Sequence, residues 1–245
     1  MEPGYGGLAV IGLIILFAYA VVGTTGFGAS IIAVPLIVHL LPLTLVVPMM
    51  VVFDLGAGLL LGGRNLASVD RRELYRLLPF MLIGIVLGAT LLLNAPERLL
   101  LLTLGVAVLC HAAWSLWGRP PQSPIAPAWS VPLGTTGGVF SALFGTGGPI
   151  YTIYLARRIG DKGRLRATIS TLIFVSALAH LGTFIAAGAY AQGELLTLVP
   201  ALLPCMLAGL FLGNRLHHRL PGRQVTRVVW ALLLLSGASL LWRNA

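Results

Sequence analysis

Two titratable side chains, Asp54 and His180, lie in the middle of long apolar segments. Groups of these types form the proton relays of pumps and transporters, because each can take up and release a proton. A shift of 126 residues places Asp54 on His180, so the two occupy matching positions in the two halves of the chain. If the two side chains lie close together near the centre of the protein, they are expected to couple transport to protons or to form a gate. A static hydrogen-bonded pair, or a protonated Asp54 that caps a polar cavity, is the alternative interpretation.

Two glycine clusters point to a second kind of chemistry, the binding of an anion. They interrupt the apolar stretches 8–41 and 128–156, and helices do not easily run through such clusters. Each stretch is therefore predicted to form two short half-helices around a glycine turn. The N–H groups at the start of a helix can hold an anion, and nearby hydroxyl groups add donors. The predicted substrate-binding residues are Thr24, Thr25, Gly26, Phe27, Gly28, Ser30, Gly145, Thr146, Gly147 and Gly148.

Close helix packing through small residues would produce the same glycine pattern. The recurrence of the cluster favours a binding site, since a shift of 119 residues places Gly26 and Gly28 on Gly145 and Gly147. Irregular backbone at membrane depth is tolerated only where it is buried or lines a cavity.

The elements that position these residues are transmembrane helices. The chain has 245 residues, of which 58% are hydrophobic and 9% charged, whereas soluble domains carry roughly 25% charged residues. A water-soluble globule is therefore excluded. A bilayer needs about 20 apolar residues per helix. Six uninterrupted stretches have about that length: 44–62, 77–94, 98–117, 167–188, 195–213 and 226–242.

The net charge of +9 comes from 16 basic and 7 acidic residues. The basic residues stand in short runs between apolar stretches, so they indicate topology and contact with anionic lipid headgroups. Nucleic acid is not a predicted partner.

A proline-rich linker at 119–127 divides the chain into two halves, a first membrane repeat at 1–118 and a second at 128–245. A shift of 125 residues pairs prolines and helix-spaced glycines of the two halves in the same order. These pairs are Pro79 with Pro204, Gly84 with Gly209, and Gly88 with Gly213. The fold class predicted is an all-α polytopic membrane protein of two repeats, each a glycine-broken helical hairpin followed by three transmembrane helices.

The basic residues predict that the two repeats are inverted. In the first half they concentrate between 62 and 77, but the corresponding loop 189–194 has none. Cytoplasmic loops carry the excess of Lys and Arg, so the charged loops have exchanged sides. If each broken hairpin returns to its starting face, every basic residue except Arg98 and Arg243 falls on the cytoplasmic side. Whether the hairpins re-enter or cross fully stays open.

Enzymatic motifs are absent from the sequence, and no residue spacing indicates a metal site or a cofactor. An intramembrane enzyme would need a nucleophile beside a base, such as Ser141 or Ser176 near His180. Ser176 lies one helical turn before His180, a spacing typical of a hydrogen bond along a helix face, and no oxyanion motif accompanies it. Because Asp54 alone among the acids lies deep in a helix, a cation site built from several carboxylates is not predicted. The donor-rich inventory favours an anion.

The sequence resembles the TauE/SafE family of bacterial anion permeases, often called sulfite exporters. The resemblance rests on the cluster Gly23–Gly28 followed by Pro35, on the cluster Gly145–Pro149, and on the paired prolines and glycines of both halves. It implies export of sulfite, sulfonates or related small anions. Family members often carry a longer glycine run where this chain has Gly28-Ala29-Ser30.

We therefore predict a multi-pass secondary transporter of the bacterial cytoplasmic membrane. It would export a small sulfur-containing anion, sulfite or an organosulfonate, by alternating access, with protons carried by Asp54 and His180. The alternative is a passive channel for small anions. The predicted partners are the anion, protons and membrane lipids. A homodimer is left open.

Overall fold

The computed structural model of the chain describes residues 5–25, 28–62, 68–117, 123–191, 193–216 and 233–243. Every regular element in this part of the chain is helical, which confirms the all-α prediction. Two 3₁₀ turns, Pro127–Trp129 and Ala189–Ala191, join longer helices. The α-helices are α1 (Tyr5–Thr25), α2 (Ala29–Ile37), α3 (Leu43–Gly62), α4 (Arg71–Asn94), α5 (Glu97–Trp117), α6 (Ser130–Phe144), α7 (Gly147–Leu155), α8 (Lys162–Ala186), α9 (Gly193–Leu216) and α10 (Leu233–Arg243).

Among the described residues, five helices are long and apolar enough to cross a membrane: α1, α3, α4, α8 and α9. The predicted stretches 44–62, 77–94, 98–117, 167–188 and 195–213 coincide with α3, α4, α5, α8 and α9 within a few residues at most ends. The sixth, 226–242, lies partly outside the described residues. The chain is thus a multi-pass membrane protein, as its composition predicts.

Aspartates fix the starts of two of the long helices. Asp70 accepts a hydrogen bond from the backbone N–H of Glu73 (3.2 Å) before α4, and Asp161 accepts one from that of Arg164 (2.7 Å) before α8. Each aspartate satisfies one of the free N–H groups of the first turn. Both helices therefore begin within the basic segments of the sequence, whose last basic residues lie in their first two turns.

The predicted glycine breaks are present. Gly28 precedes α2 with φ 103°, and Gly145 ends α6 with φ 68°. Side chains other than hydrogen rarely adopt these left-handed conformations, so glycine lets the chain reverse direction here. The helices that leave the two breaks, α2 and α7, have nine residues each and are too short to cross a bilayer. The prediction of two short half-helices is wrong for the first stretch, because α1 has 21 residues and is long enough to cross. The apolar run before the first glycine cluster is itself long enough to form a full helix.

The hairpin α6–α7 returns to the end of the bundle from which it starts. Arg158, just after α7, donates a hydrogen bond from Nη1 to the carbonyl oxygen of Ile125, just before α6 (3.2 Å). The same guanidinium pairs with Glu73 in the first turn of α4 (2.9 Å). Arg164 pairs with Asp70 (3.1 Å), which brings the start of α8 to the same place. We call this the basic end of the bundle.

The opposite end, called the far end here, collects the other helix termini. Tyr190, between α8 and α9, donates a hydrogen bond to the carbonyl oxygen of Pro48 near the start of α3 (3.0 Å). Arg243 at the end of α10 lies beside His39, with Nη1 3.2 Å from Nδ1. Partial burial, and to a smaller extent the Arg243 cation, lower the pKa of His39. The imidazole therefore stays neutral and accepts the hydrogen bond from arginine at neutral pH.

Two helix pairs are packed through glycine, and each takes one helix from each half. In the pair α4–α6, a Cβ on Gly84 or Gly88 would collide with the backbone of α6. In the pair α1–α9, a Cβ on Gly209 or Gly213 would collide with the backbone of α1. The shift of 125 residues pairs Gly84 with Gly209 and Gly88 with Gly213. The glycines therefore have the same role in both halves, since each allows the backbones of two helices to come into contact.

Matching helices of the two halves run in opposite directions. The helices α3 and α9 start at the far end, whereas α8 and α4 start at the basic end. The packing of Gly12 on Leu202 and of Gly23 on Asn214 sets α1 parallel to α9, so α1 also starts at the far end. The helix α6 starts at the basic end. These directions are compatible with an inverted repeat, which stays a prediction.

Candidate functional site

A cavity of about 470 Å³ lies between the two glycine breaks and the central helices α3 and α8. Sites for small ligands have volumes of this order and combine apolar walls with a few polar groups. The polar or charged side chains that line it are Ser30, Asp54, Ser141, Tyr151, Arg166, Ser170, Thr171, Ser176, His180 and Asn214.

The carboxyl group of Asp54 is held by two hydroxyl groups of the first half. The Tyr19 hydroxyl on α1 donates to Oδ1 and the Ser30 hydroxyl on α2 donates to Oδ2, each at 2.6 Å. Tyr19 is fully buried and packs edge-on against Phe53. Asp54 is the only acid in the described lining of the cavity, and both of its carboxyl oxygens have partners. We call these three residues the Asp54 cluster.

The two glycine breaks touch each other at the centre of the protein. A Cβ on Gly145 would collide with the Cβ of Ser30 and lie 2.7 Å from its Oγ. Glycine is required here for this contact as well as for its backbone angle. The break of the second half is thus seated directly against the Asp54 cluster of the first.

The helices that leave the breaks start at the cavity without side-chain caps. Neither Gly28 before α2 nor Thr146 before α7 makes a capping hydrogen bond from its side chain. Gly28 and Gly148 both line the cavity. Uncapped first-turn N–H groups and the positive ends of two helix dipoles therefore face the same space, which favours negative charge.

A second polar cluster belongs to the other half of the chain. The hydroxyl groups of Ser141 on α6 and Ser176 on α8 are 3.2 Å apart. Tyr151 on α7 and His180 on α8 are 1% and 3% exposed. The Tyr151 hydroxyl and His180 Nε2 have no hydrogen-bond partner among the described residues, although Ser141 and Ser176 are polar neighbours of the tyrosine. We call these four residues the Tyr151 cluster.

The cavity extends along one face of α8 towards the basic end. Its lining residues run from Gly163 through Arg166 and Ser170 to His180, a span of about 25 Å at the rise of an α-helix. Arg166 gives this approach a positive charge. The described lining takes no residue from the segments 32–50 and 181–213, which include the far end.

The structure brings six of the twelve predicted site residues to one cavity. Gly28, Ser30 and Gly145 line it, as do Gly148, Asp54 and His180. Thr24 and Thr25 end α1, with their side chains not described, and Gly26 and Phe27 lie outside the described residues.

Two predicted residues are not part of the cavity lining. Thr146 lines a smaller neighbouring pocket, and its Oγ1 donates to the carbonyl oxygen of Phe140 (3.4 Å). Gly147 packs against Ser141 and the carbonyl oxygen of Gly137. Asp54 and His180 share the cavity, but the carboxyl group bonds to Tyr19 and Ser30 instead of the imidazole.

Tyr19, Tyr151 and Arg166 were not predicted from the sequence as site residues. Ser141 and Ser176 were considered only as nucleophiles. A tyrosine in an apolar helix is more often an interfacial anchor, so composition alone could not single out Tyr19 or Tyr151. Within the described part of the chain, no group of three His, Cys, Asp or Glu side chains could hold a metal ion.

Comparison with known proteins agrees with this architecture. The family described as "Sulfite exporter TauE/SafE" matches residues 11–240. The chain belongs to this family. A relative from Comamonas testosteroni, "Probable inner membrane transporter protein TsaS", is 30% identical over 200 residues, which cover 80% of this chain and 83% of the relative. No solved structure matches the chain at a significant level. The family resemblance seen in the glycine motifs is thereby confirmed.

Proposed function

We propose that this TauE/SafE member is a secondary transporter that exports a small sulfur-containing anion, sulfite or an organosulfonate, across the bacterial cytoplasmic membrane. The observation that carries the proposal is the cavity where the two glycine breaks meet, with two uncapped helix starts facing it. The family name and the relative's description as an inner membrane transporter support this substrate class and membrane.

The basic end is placed in the cytoplasm, because basic residues are retained on that side. The cavity then reaches from the cytoplasmic side to the centre of the bundle, past Arg166. A cation beside the approach raises the local concentration of anions. The basic residues outside the cavity would contact anionic lipid headgroups. A homodimer stays a prediction.

Alternating access is the mechanism we infer. The helices of each half are opposite in direction to their partners, as in inverted-repeat transporters, in which one unit rocks against another. The approach along α8 is confined to one side, and the far end is bridged by Tyr190 to Pro48 and Arg243 to His39. A passive channel would instead need a path that is continuous through both ends at once. It remains the second candidate in the flux measurement.

Proton coupling is proposed to depend on Asp54. An ionised carboxylate in the cavity would repel an anion, whereas a protonated one would not. Proton and anion are therefore expected to bind together and to move in the same direction, so that the outward anion gradient drives export and an inward proton gradient opposes it. The other ionisable side chains that line the cavity are Tyr151, Arg166 and His180. His180 could add a second proton as a cation that pairs directly with the anion.

The test is anion flux in proteoliposomes, with sulfite, thiosulfate, a small sulfonate and acetate, each with and without a pH gradient. We expect saturable flux of a sulfur oxyanion that responds to the gradient. Flux that neither saturates nor responds to the gradient would favour the channel. Wild-type protein that moves none of these anions would overturn the proposed substrate class.

Asp54→Asn tests the coupling, because the amide keeps the shape of the carboxyl group but cannot be charged. In the wild type, anion affinity should rise as the pH is lowered and Asp54 takes up its proton. In Asp54→Asn, anion affinity should no longer depend on the protonation of this position, and flux should lose its response to the gradient. An unchanged pH dependence of transport in this variant would remove Asp54 from the coupling role.

A further inference from the structure

The Tyr151 cluster contains buried polar groups whose hydrogen bonds are not made within the described protein. Tyr151 and His180 come from different helices, α7 and α8, and both line the cavity. The Tyr151 hydroxyl and His180 Nε2 are buried, and neither makes a hydrogen bond of good geometry to another described residue, although Ser141 and Ser176 are close to the tyrosine. A buried donor without a partner is destabilising. Such groups commonly mark a place where a ligand completes the hydrogen bonds.

The position of the tyrosine ring is fixed by its packing. The ring of Tyr151 lies against Gly137 on α6, where a Cβ would collide with its edge. The imidazole of His180 stacks on the ring of Phe184, one turn further along α8, with ring centroids 6.2 Å apart. The two groups are therefore held in place before a ligand binds, which lowers the entropic cost of binding.

The surroundings of the cluster favour an anion. Ser141 and Ser176 add two hydroxyl groups, and Gly148 in the uncapped first turn of α7 lines the same space. None of the four members of the cluster is an acid. The nearest described acid of the cavity lining, Asp54, already accepts two hydrogen bonds from Tyr19 and Ser30.

We propose that Tyr151, His180, Ser141 and Ser176 form the subsite that binds the oxygen atoms of the transported anion. The ligand class is a small oxyanion with several oxygen atoms on one centre, such as sulfite or the head of a sulfonate. Donors from α6, α7 and α8 can then reach different oxygens. The Asp54 cluster holds the proton and the Tyr151 cluster holds the anion. This inference rests on the proposed function and assigns residues to its substrate.

The experiment measures sulfite binding to purified protein in nanodiscs by calorimetry, together with the melting temperature of the ligand-free protein. In Tyr151→Phe, affinity for sulfite should fall at least about tenfold, because a hydrogen bond to a charged group is lost. The melting temperature without ligand should stay the same or rise, since the variant removes a hydroxyl group that has no partner. A purely structural tyrosine would not show these opposite changes.

Tyr154→Phe is the matched control on the same helix. Tyr154 is also fully buried, but its hydroxyl group donates to Glu73 Oε2 (2.7 Å) at the basic end, outside the cavity lining. This variant should melt at a lower temperature and bind sulfite with the wild-type affinity. Chloride, which has a single centre and no oxygen atoms, should bind all three proteins weakly.

His180 provides an independent check of the subsite. His180→Phe should lose sulfite binding, whereas His180→Gln keeps an N–H donor and should retain part of it. The subsite is wrong if wild-type protein transports sulfite but Tyr151→Phe binds it within about twofold of wild type, or loses melting temperature and affinity together. Wild-type protein that neither binds nor transports any sulfur oxyanion would instead overturn the proposed function.

Discussion

The two polar clusters of the cavity differ in how completely their hydrogen bonds are made. In the Asp54 cluster, both carboxyl oxygens accept hydroxyl groups at 2.6 Å. In the Tyr151 cluster, the two serine hydroxyl groups are 3.2 Å apart, while the Tyr151 hydroxyl and His180 Nε2 have no hydrogen-bond partner in the described part of the chain. The clusters contain Asp54 of α3 and His180 of α8, which the shift of 126 residues places at matching positions.

The comparison shows how one cavity can treat a proton and an anion differently. A satisfied cluster is rigid and stable, and when its carboxyl group takes up a proton, one of the two hydroxyl groups must turn from donor to acceptor. An unsatisfied cluster has polar groups that are free to form hydrogen bonds with a ligand. Stability and binding should therefore respond in opposite ways to similar changes in the two clusters.

The largest loss of stability is expected where the second glycine break meets the Asp54 cluster. Gly145→Ala combines a left-handed backbone angle with a collision against Ser30, and should lower the free energy of unfolding by about 3 kcal/mol. Thermal unfolding in detergent measures the effect, and transport should fall with it.

Gly188→Ala is the matched control for Gly145→Ala. Its φ is 72°, but nothing lies within 4 Å of the added Cβ. It should therefore cost only the backbone term, about 1 kcal/mol. Equal losses in the two variants would show that the breaks do not press on each other.

A smaller effect separates the clusters directly. Tyr19→Phe removes a donor from Asp54 and should cost about 1.5 kcal/mol of stability, the value of a hydrogen bond to a charged group. Tyr151→Phe, with an equally buried ring, should cost nothing. Melting temperatures of the two variants in one detergent make the comparison. Equal losses would contradict the distinction between satisfied and unsatisfied clusters.

The smallest effect lies outside both clusters and supplies a baseline. The Arg164 side chain is 55% exposed where it pairs with Asp70, and an exposed ion pair contributes at most about 1 kcal/mol. Arg164→Ala should shift the melting temperature only slightly and leave the affinity for sulfite unchanged. A large loss of affinity here would show that the basic end takes part in binding.

Much of the fold was accessible from the sequence because membrane constraints are strong. Length and hydropathy located the long helices, and glycine clusters located both breaks, since few other residues permit them. The paired glycines Gly84 and Gly209 were also recognisable, because close backbone contact leaves a small residue at the same register in each half. The sequence could not show that each hairpin returns to the end of the bundle from which it starts. That return depends on contacts between distant residues, such as the hydrogen bond of Arg158 to Ile125.

The site was predictable only in part, because the spacing of residues along the sequence does not determine where each side chain points. Thr146 and Gly148 are two residues apart, yet only the glycine lines the cavity. The matching positions of Asp54 and His180 predicted that the two residues lie close together, and they do share one cavity. These positions could not show that the carboxyl group accepts its hydrogen bonds from Tyr19 and Ser30. Nothing in the sequence singled out Tyr151, because its proposed role depends on a buried hydroxyl group without a described partner, which only the structure reveals.

The glycine-packed pairs α1–α9 and α4–α6 make the two halves of the chain depend on each other. Each pair joins a helix of one half to a helix of the other, so neither half contains a complete pair. A half expressed alone would leave its glycine surface uncovered until it met a second half. The two halves are therefore expected to fold as one unit rather than one after the other.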